Sequence, residues 1–213
     1  NILRKAYSDF AYFQAEGNGE FVESEDPTLS NEFSYDQNVT AGYVSLTFPV
    51  LKNYVLKPGL RYEYTTIDAA FANEFSAEIP SYGTLVPSVN ASRRLKNGNM
   101  IKAAYNRRIQ RPSLRFLNPN IEASNPLQIS QGNPELDPEL TDNYELGYST
   151  FIKGTTLNFT GFYRNTTGSI QALRNIQEDG VILTTFENIG REQAIGSSVF
   201  MNINISNKFS LNG

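Results

Sequence analysis

Short stretches in which apolar and polar residues alternate recur along the whole chain, and the connections between them follow one order: long, short, long, short. A period of two belongs to a β-strand that turns one face to an apolar medium and the other to water. The pattern is clearest from Tyr54 to Thr65, where Tyr54, Leu56, Pro58, Leu60, Tyr62 and Tyr64 share one face and Lys57, Gly59, Arg61 and Glu63 the other. Further strands are expected at Val39–Val50, Leu85–Leu95, Met100–Ile109, Asp142–Ile152, Thr155–Thr166 and Ala194–Ile205, with a weaker one at Ile2–Phe13. Pro58 cannot donate to a ladder, so a bulge is expected there.

Tight turns fall at Lys52-Asn53, Lys96-Asn97-Gly98-Asn99, Lys153-Gly154 and Ser206-Asn207-Lys208. Between them lie Ala15–Asn38, Thr66–Thr84, Arg111–Thr141 and Thr167–Gln193, far longer than the usual hairpin loop of about 2 to 5 residues. In an up-and-down antiparallel sheet alternate connections lie at the same end, so the short turns gather at one end and the long loops at the other. Outer-membrane barrels have that asymmetry, with short periplasmic turns and long extracellular loops. The expected fold is therefore all-β: an antiparallel up-and-down meander of about eight strands that forms part of a transmembrane barrel. No repeat or composition shift divides residues 1–213.

Composition narrows the chemistry. No run of about 18 apolar residues exists, which excludes a helical transmembrane protein but not a barrel that crosses with strands. The chain holds no cysteine and no histidine, which removes disulfides, thiolate nucleophiles and histidine triads. A net charge of −4 offers no excess of cations for nucleic acid. Asn1–Arg4 lacks the charged and apolar regions of an export signal, so such a signal is expected either upstream of this chain or not at all. Asp137, Glu139 and Asp142 lack the ligand spacing of a calcium loop, and Gly17-Asn18-Gly19 reads as a turn rather than a phosphate loop. No cofactor is expected, and no enzymatic role. A glycosidase would need two carboxylates converging in a cleft, to which nothing in the sequence points.

Strand parity puts Lys57, Arg61, Glu63, Arg94, Lys102, Asn106, Arg108, Gln110, Glu145 and Arg164 on the water-filled side of such a barrel. A charge on the lipid side would cost roughly 2 to 4 kcal/mol at the midplane. These residues are candidates for a solute path, although any barrel needs a polar interior. Tyr62, Tyr64, Tyr144 and Tyr163 lie near the long-loop ends of their strands, and Phe48, Tyr54 and Phe209 near the short-turn ends. Two such rows match the aromatic girdles of membrane barrels. The segment Arg111–Thr141 contains five of the ten prolines. It either folds over the barrel mouth and meets solute through Arg111, Arg115, Asn118 and Asn120, or forms a rigid structural cap, and the cap is the plainer reading.

Several ordered blocks carry a resemblance. They are Tyr105-Asn106-Arg107-Arg108-Ile109-Gln110-Arg111-Pro112-Ser113, Leu117-Asn118-Pro119, Gly132-Asn133-Pro134-Glu135-Leu136-Asp137-Pro138-Glu139 and Thr141-Asp142-Asn143-Tyr144-Glu145-Leu146-Gly147-Tyr148. Gly59-Leu60-Arg61-Tyr62-Glu63-Tyr64 and Phe186-Glu187-Asn188-Ile189-Gly190 add to them. Together they resemble the C-terminal barrel portion of the TonB-dependent receptors. The resemblance implies an outer-membrane location and uptake of a bulky nutrient or metal chelate. It also implies a parent barrel of about 22 strands around a plug that this chain does not contain. The partners it implies are outer-membrane lipid, the plug, the TonB complex and a surface lipoprotein; nucleic acid is not among them. A soluble secreted β-sandwich that binds carbohydrate on Tyr62, Tyr64 and Tyr163 is the alternative, and it differs in burying its apolar face.

Overall fold

The computed structural model describes residues 2–8, 11–15, 21–25, 31–71, 79–152, 154–206 and 209–213. In chain order the strands are β1 (Ile2–Ser8), β2 (Ala11–Ala15), β3 (Phe21–Glu25), β4 (Asn31–Ser45), β5 (Phe48–Leu51), β6 (Tyr54–Phe71), β7 (Tyr82–Arg94) and β8 (Met100–Gln110). A single helical turn, α1 (Leu114–Leu117), follows. The strands β9 (Ile121–Asn125), β10 (Gln128–Gln131), β11 (Glu139–Ile152), β12 (Thr155–Ile176), β13 (Ile182–Ser206) and β14 (Phe209–Asn212) complete the chain.

One sheet dominates, and along it β1, β4, β6, β7, β8, β11, β12, β13 and β14 pair in succession, every pair antiparallel. The result is a curled half-barrel of nine strands, one more than the sequence suggests. The turn residues Lys153, Asn207 and Lys208, residues 9–10 of the first expected strand, Gly17-Asn18-Gly19 and parts of the first two long connections lie outside the described residues. The turn after β7 is tight, with Gly98 at φ 84° and the Leu95 amide donating to the Asn99 carbonyl over 2.8 Å. Only glycine takes that backbone angle without strain.

Pro58 produces no bulge in its own strand. The pairing of β6 with β7 runs unbroken through Pro58 and Val89. The interruption falls on the partner strand instead, between β4 and β5, where the Leu46 amide donates to the Pro58 carbonyl over 3.1 Å. The proline has no N–H to return to Leu46, so that rung is half made and the partner strand parts opposite it.

The apolar face stays uncovered. Leu146 is 62% exposed, Val199 60% and Ile195 87%. A β-sandwich would bury that face against a second sheet, so the soluble alternative does not fit. In a lipid bilayer the same face is satisfied. On it the Tyr105, Tyr144 and Tyr163 rings form a continuous row, with centroids 5.0 and 6.1 Å apart in turn. One rung beyond the row, toward the long-loop end, Arg107 forks onto Asp142 at 2.9 and 3.0 Å, and Tyr105 donates to the same carboxylate at 2.8 Å.

Two long connections contain strand. The stretch 167–193 belongs mostly to the β12–β13 hairpin, which continues past the sheet and turns at Gly180 (φ 83°). It kinks where the register shifts at Thr167, Ser169 and Gln171, with Gly168 at φ 66°. The segment 111–138 holds α1 and the β9–β10 hairpin, and β10 adds in parallel to β13 through Gln128↔Ile182, Ile129↔Leu183 and Ser130↔Thr184.

The buried core lies here rather than between the girdles. Tyr35, Ile67, Ile79, Leu117, Leu136 and Phe186 are all under 9% exposed, and Leu114, Phe116 and Ile170 pack against them. Tyr35 and Ile67 share the face of β4 and β6 that carries Glu63, so the segment caps the polar side of the sheet.

Candidate functional site: a polar wall beneath a cap

The ladder registers put Arg61 and Glu63 of β6, Arg94 of β7, Lys102, Asn106 and Arg108 of β8, Glu145 of β11 and Arg164 of β12 on one face. They divide into an anchor and an open wall. At the anchor Glu63, 7% exposed, receives Arg61 at 2.6 Å and is in direct contact with the Arg111 guanidinium. Arg111 also donates to the Thr65 hydroxyl over 3.2 Å. Because β8 ends at Gln110, Arg111 is free of strand parity and swings back over the sheet, which ties the root of the cap to β6.

The open wall forms two recesses. One, of about 430 Å³, is lined by Arg108, Gln110, Asn143, Arg164, Thr166 and Glu192. Asn143, 2% exposed, accepts from Arg164 at 3.3 Å and donates to Glu145 at 2.6 Å. The Arg164 guanidinium also lies 4.5 Å over the Phe162 ring. Glu192 is engaged by Ser169 at 2.8 Å. Neither Arg108 nor Arg164 forms an ion pair among the described residues. The second recess, about 400 Å³, is lined by Lys57, Asn90, Lys102, Glu145 and Thr160 among others. Arg94 lies at the short-turn end, away from both. No group of three or more acidic side chains able to hold a metal occurs among the described residues.

Of the side chains expected to meet solute from the loop, Arg111 is held at the anchor, and the Asn120 side-chain nitrogen is buried without a hydrogen-bond partner. Asn118 accepts the Asn120 amide at 3.1 Å and so closes a turn. Arg115 is exposed and only 3.9 Å from Glu122, an ordinary surface pair. The residues that hold the loop are ones the sequence reading left without a role. Asn133 donates to the Phe186 carbonyl at 3.1 Å and accepts the Glu135 amide at 2.9 Å. Asn188 accepts the Asp137 amide at 2.8 Å and donates to the Asp137 and Gly168 carbonyls at 2.9 and 2.8 Å. Phe116 packs on Phe186 with centroids 4.7 Å apart. The Gly132–Glu139 and Phe186–Gly190 blocks are therefore two halves of one lock. The detectable signal was that both stand out as motifs inside stretches with no period.

A curled antiparallel sheet with an apolar outer face, a polar charged inner face and a cap at its long-loop end defines the wall of an outer-membrane β-barrel. The chain belongs to the outer membrane protein beta-barrel family, whose sequence model matches residues 1–213. Its fold is similar to that of the Serratia marcescens hemophore receptor HasR, solved with its hemophore HasA and heme: TM-score 0.64, 13% identity, 94% of this chain and 39% of that one. It is also similar to the Pseudomonas aeruginosa ferric enterobactin receptor PfeA (0.62, 15%, 98% and 34%) and siderophore receptor PirA (0.57, 15%, 98% and 48%). The resemblance to TonB-dependent receptors thus holds at the level of fold, and the chain spans less than half the length of each of these structures. No curated protein matches it in sequence.

Proposed function

We propose that the chain is part of the wall of an outer-membrane receptor that takes up a bulky nutrient, most simply a metal chelate, and that it does so without catalysing a reaction. The observation that carries this reading is the recess of about 430 Å³ on the inner face, near the long-loop end of the sheet, in which Arg108 and Arg164 stand without ion-pair partners among the described residues. Unpaired cations in a partly enclosed low-dielectric space attract an anionic solute. The similar folds of a hemophore receptor solved with heme and of siderophore and ferric enterobactin receptors support the same reading. In it the wall surrounds a plug from elsewhere in the protein. Coupling to the TonB complex drives release inward, and a surface lipoprotein is a candidate partner.

The test uses the intact protein in a strain stripped of its own iron receptors, fed ferric catecholate, ferric citrate or heme as sole iron source. The intact protein is expected to restore growth on at least one of them. The double variant Arg108→Glu, Arg164→Glu is expected to cut that uptake about tenfold or more through charge reversal, with barrel assembly intact. Failure to grow on any of the three, or uptake unchanged by the double variant, would overturn the chelate reading.

A further inference from the structure

A groove of about 610 Å³ runs along the apolar outer face, on the opposite side of the sheet from the recess beneath the cap. Its floor is Ala103, Leu146 and Gly161, and Tyr144, Tyr163 and Ile195 flank it. The registers Ala103↔Leu146, Leu146↔Gly161 and Tyr163↔Ile195 put all six on the membrane side. The groove is thus continuous with the lipid-facing belt.

What lies at the head of the groove bears on its occupant. Arg107 is neutralised by its fork onto Asp142. Arg191 is not: it stands exposed four residues before Ile195 on β13, about 13 Å along the strand toward the long-loop end. Its Nε donates to the Asn165 Oδ1 at 2.9 Å, and the Gln193 amide reaches the same oxygen at 3.2 Å. That bond fixes the fork and leaves its terminal N–H groups for an anion. Arg191 forms no ion pair among the described residues. Across the sheet, Asp36 and Asp68 pair on the same face beyond Tyr64, so the polar belt there has the opposite sign.

We propose that β8, β11, β12 and β13 form a specific site for an anionic lipid of the outer leaflet, its acyl chain in the groove and its headgroup phosphate on Arg191. The intact protein in neutral detergent, given equimolar phosphatidylglycerol and diacylglycerol of matched chains, is followed by native mass spectrometry. Retention of phosphatidylglycerol is expected to exceed that of diacylglycerol about tenfold, as one charge-assisted hydrogen bond to the phosphate provides. Arg191→Gln levels the two, and Asp68→Asn changes nothing. A Cβ at Gly161 meets no atom within 4 Å, so Gly161→Leu fits the backbone, fills the groove and lowers retention of both lipids. Equal retention by the unaltered protein, or a preference that survives Arg191→Gln, would overturn the site. Inorganic phosphate is expected not to displace phosphatidylglycerol; displacement would assign Arg191 to a free anion and overturn the lipid.

Discussion

Replacing Gly132 by valine in the intact protein is expected to open the cap while the strands beneath it stay paired. A Cβ at Gly132 would lie 2.7 Å from both the Asn118 amide nitrogen and the Phe116 carbonyl oxygen, distances that real Cβ atoms do not tolerate. Neither atom can retreat cheaply. The Gly132 amide donates to the Asn118 carbonyl at 2.8 Å and the Asn133 amide to the Phe116 carbonyl at 2.6 Å, and any shift breaks these first. Once the two backbones part, Leu117 (1% exposed) and Leu136 (5%) lose their packing against Phe186 (8%). Losing burial of large apolar side chains costs about 1.5 to 3 kcal/mol each, so the cap is expected to lose roughly 4 kcal/mol or more. Hydrogen exchange in detergent should show residues 111–138 losing protection while β8 and β11 keep theirs. Gly42→Ala is the control, because a Cβ there meets nothing within 4 Å. Unchanged protection of the cap in the valine variant would mean that the close approach at Gly132 does not hold it.

The wall was legible in the sequence because a bilayer enforces strict alternation: lipid accepts one face of Tyr54–Thr65 and water the other. Past the membrane that constraint lapses. The outgoing strand in the upper half of the β12–β13 hairpin, with Gln171, Arg174 and Asn175, is exposed on both faces. It therefore shows no period of two and reads as loop. The cap was opaque for a different reason. Its core joins Leu117 and Leu136 of one connection to Ile79 and Phe186 of two others, a tertiary arrangement with no local periodicity. Proline and asparagine content pointed to a structured segment but could not name its partners, because those of Asn133 and Asn188 lie about 50 residues away. Parity fixed the faces of Arg108, Glu145 and Arg164 and did not extend to Arg111, which follows the last residue of β8.

That arginine is the basis of the second large expectation. Arg111→Met removes one of two cations from a carboxylate that is 7% exposed, and leaves Glu63 with Arg61, whose own side chain is 47% exposed and so binds more weakly. Stripping one partner from a buried pair typically costs about 3 to 5 kcal/mol; with Arg61 still in place, about 3 kcal/mol is expected here. Most of that cost is the stranded charge rather than a lost attraction, and this makes a sharper test possible. Adding Glu63→Met to Arg111→Met should return a large part of the stability, because two well-packed apolar groups can replace a buried ion pair at little net cost. The measurement is a double-mutant cycle on the opening free energy of residues 111–117, from hydrogen exchange of the intact protein in detergent. A stabilising second substitution makes the ion pair the joint between cap and wall. Strictly additive losses would mean that Arg111 and Glu63 act independently, and that the apolar contacts around Leu117 alone seat the cap.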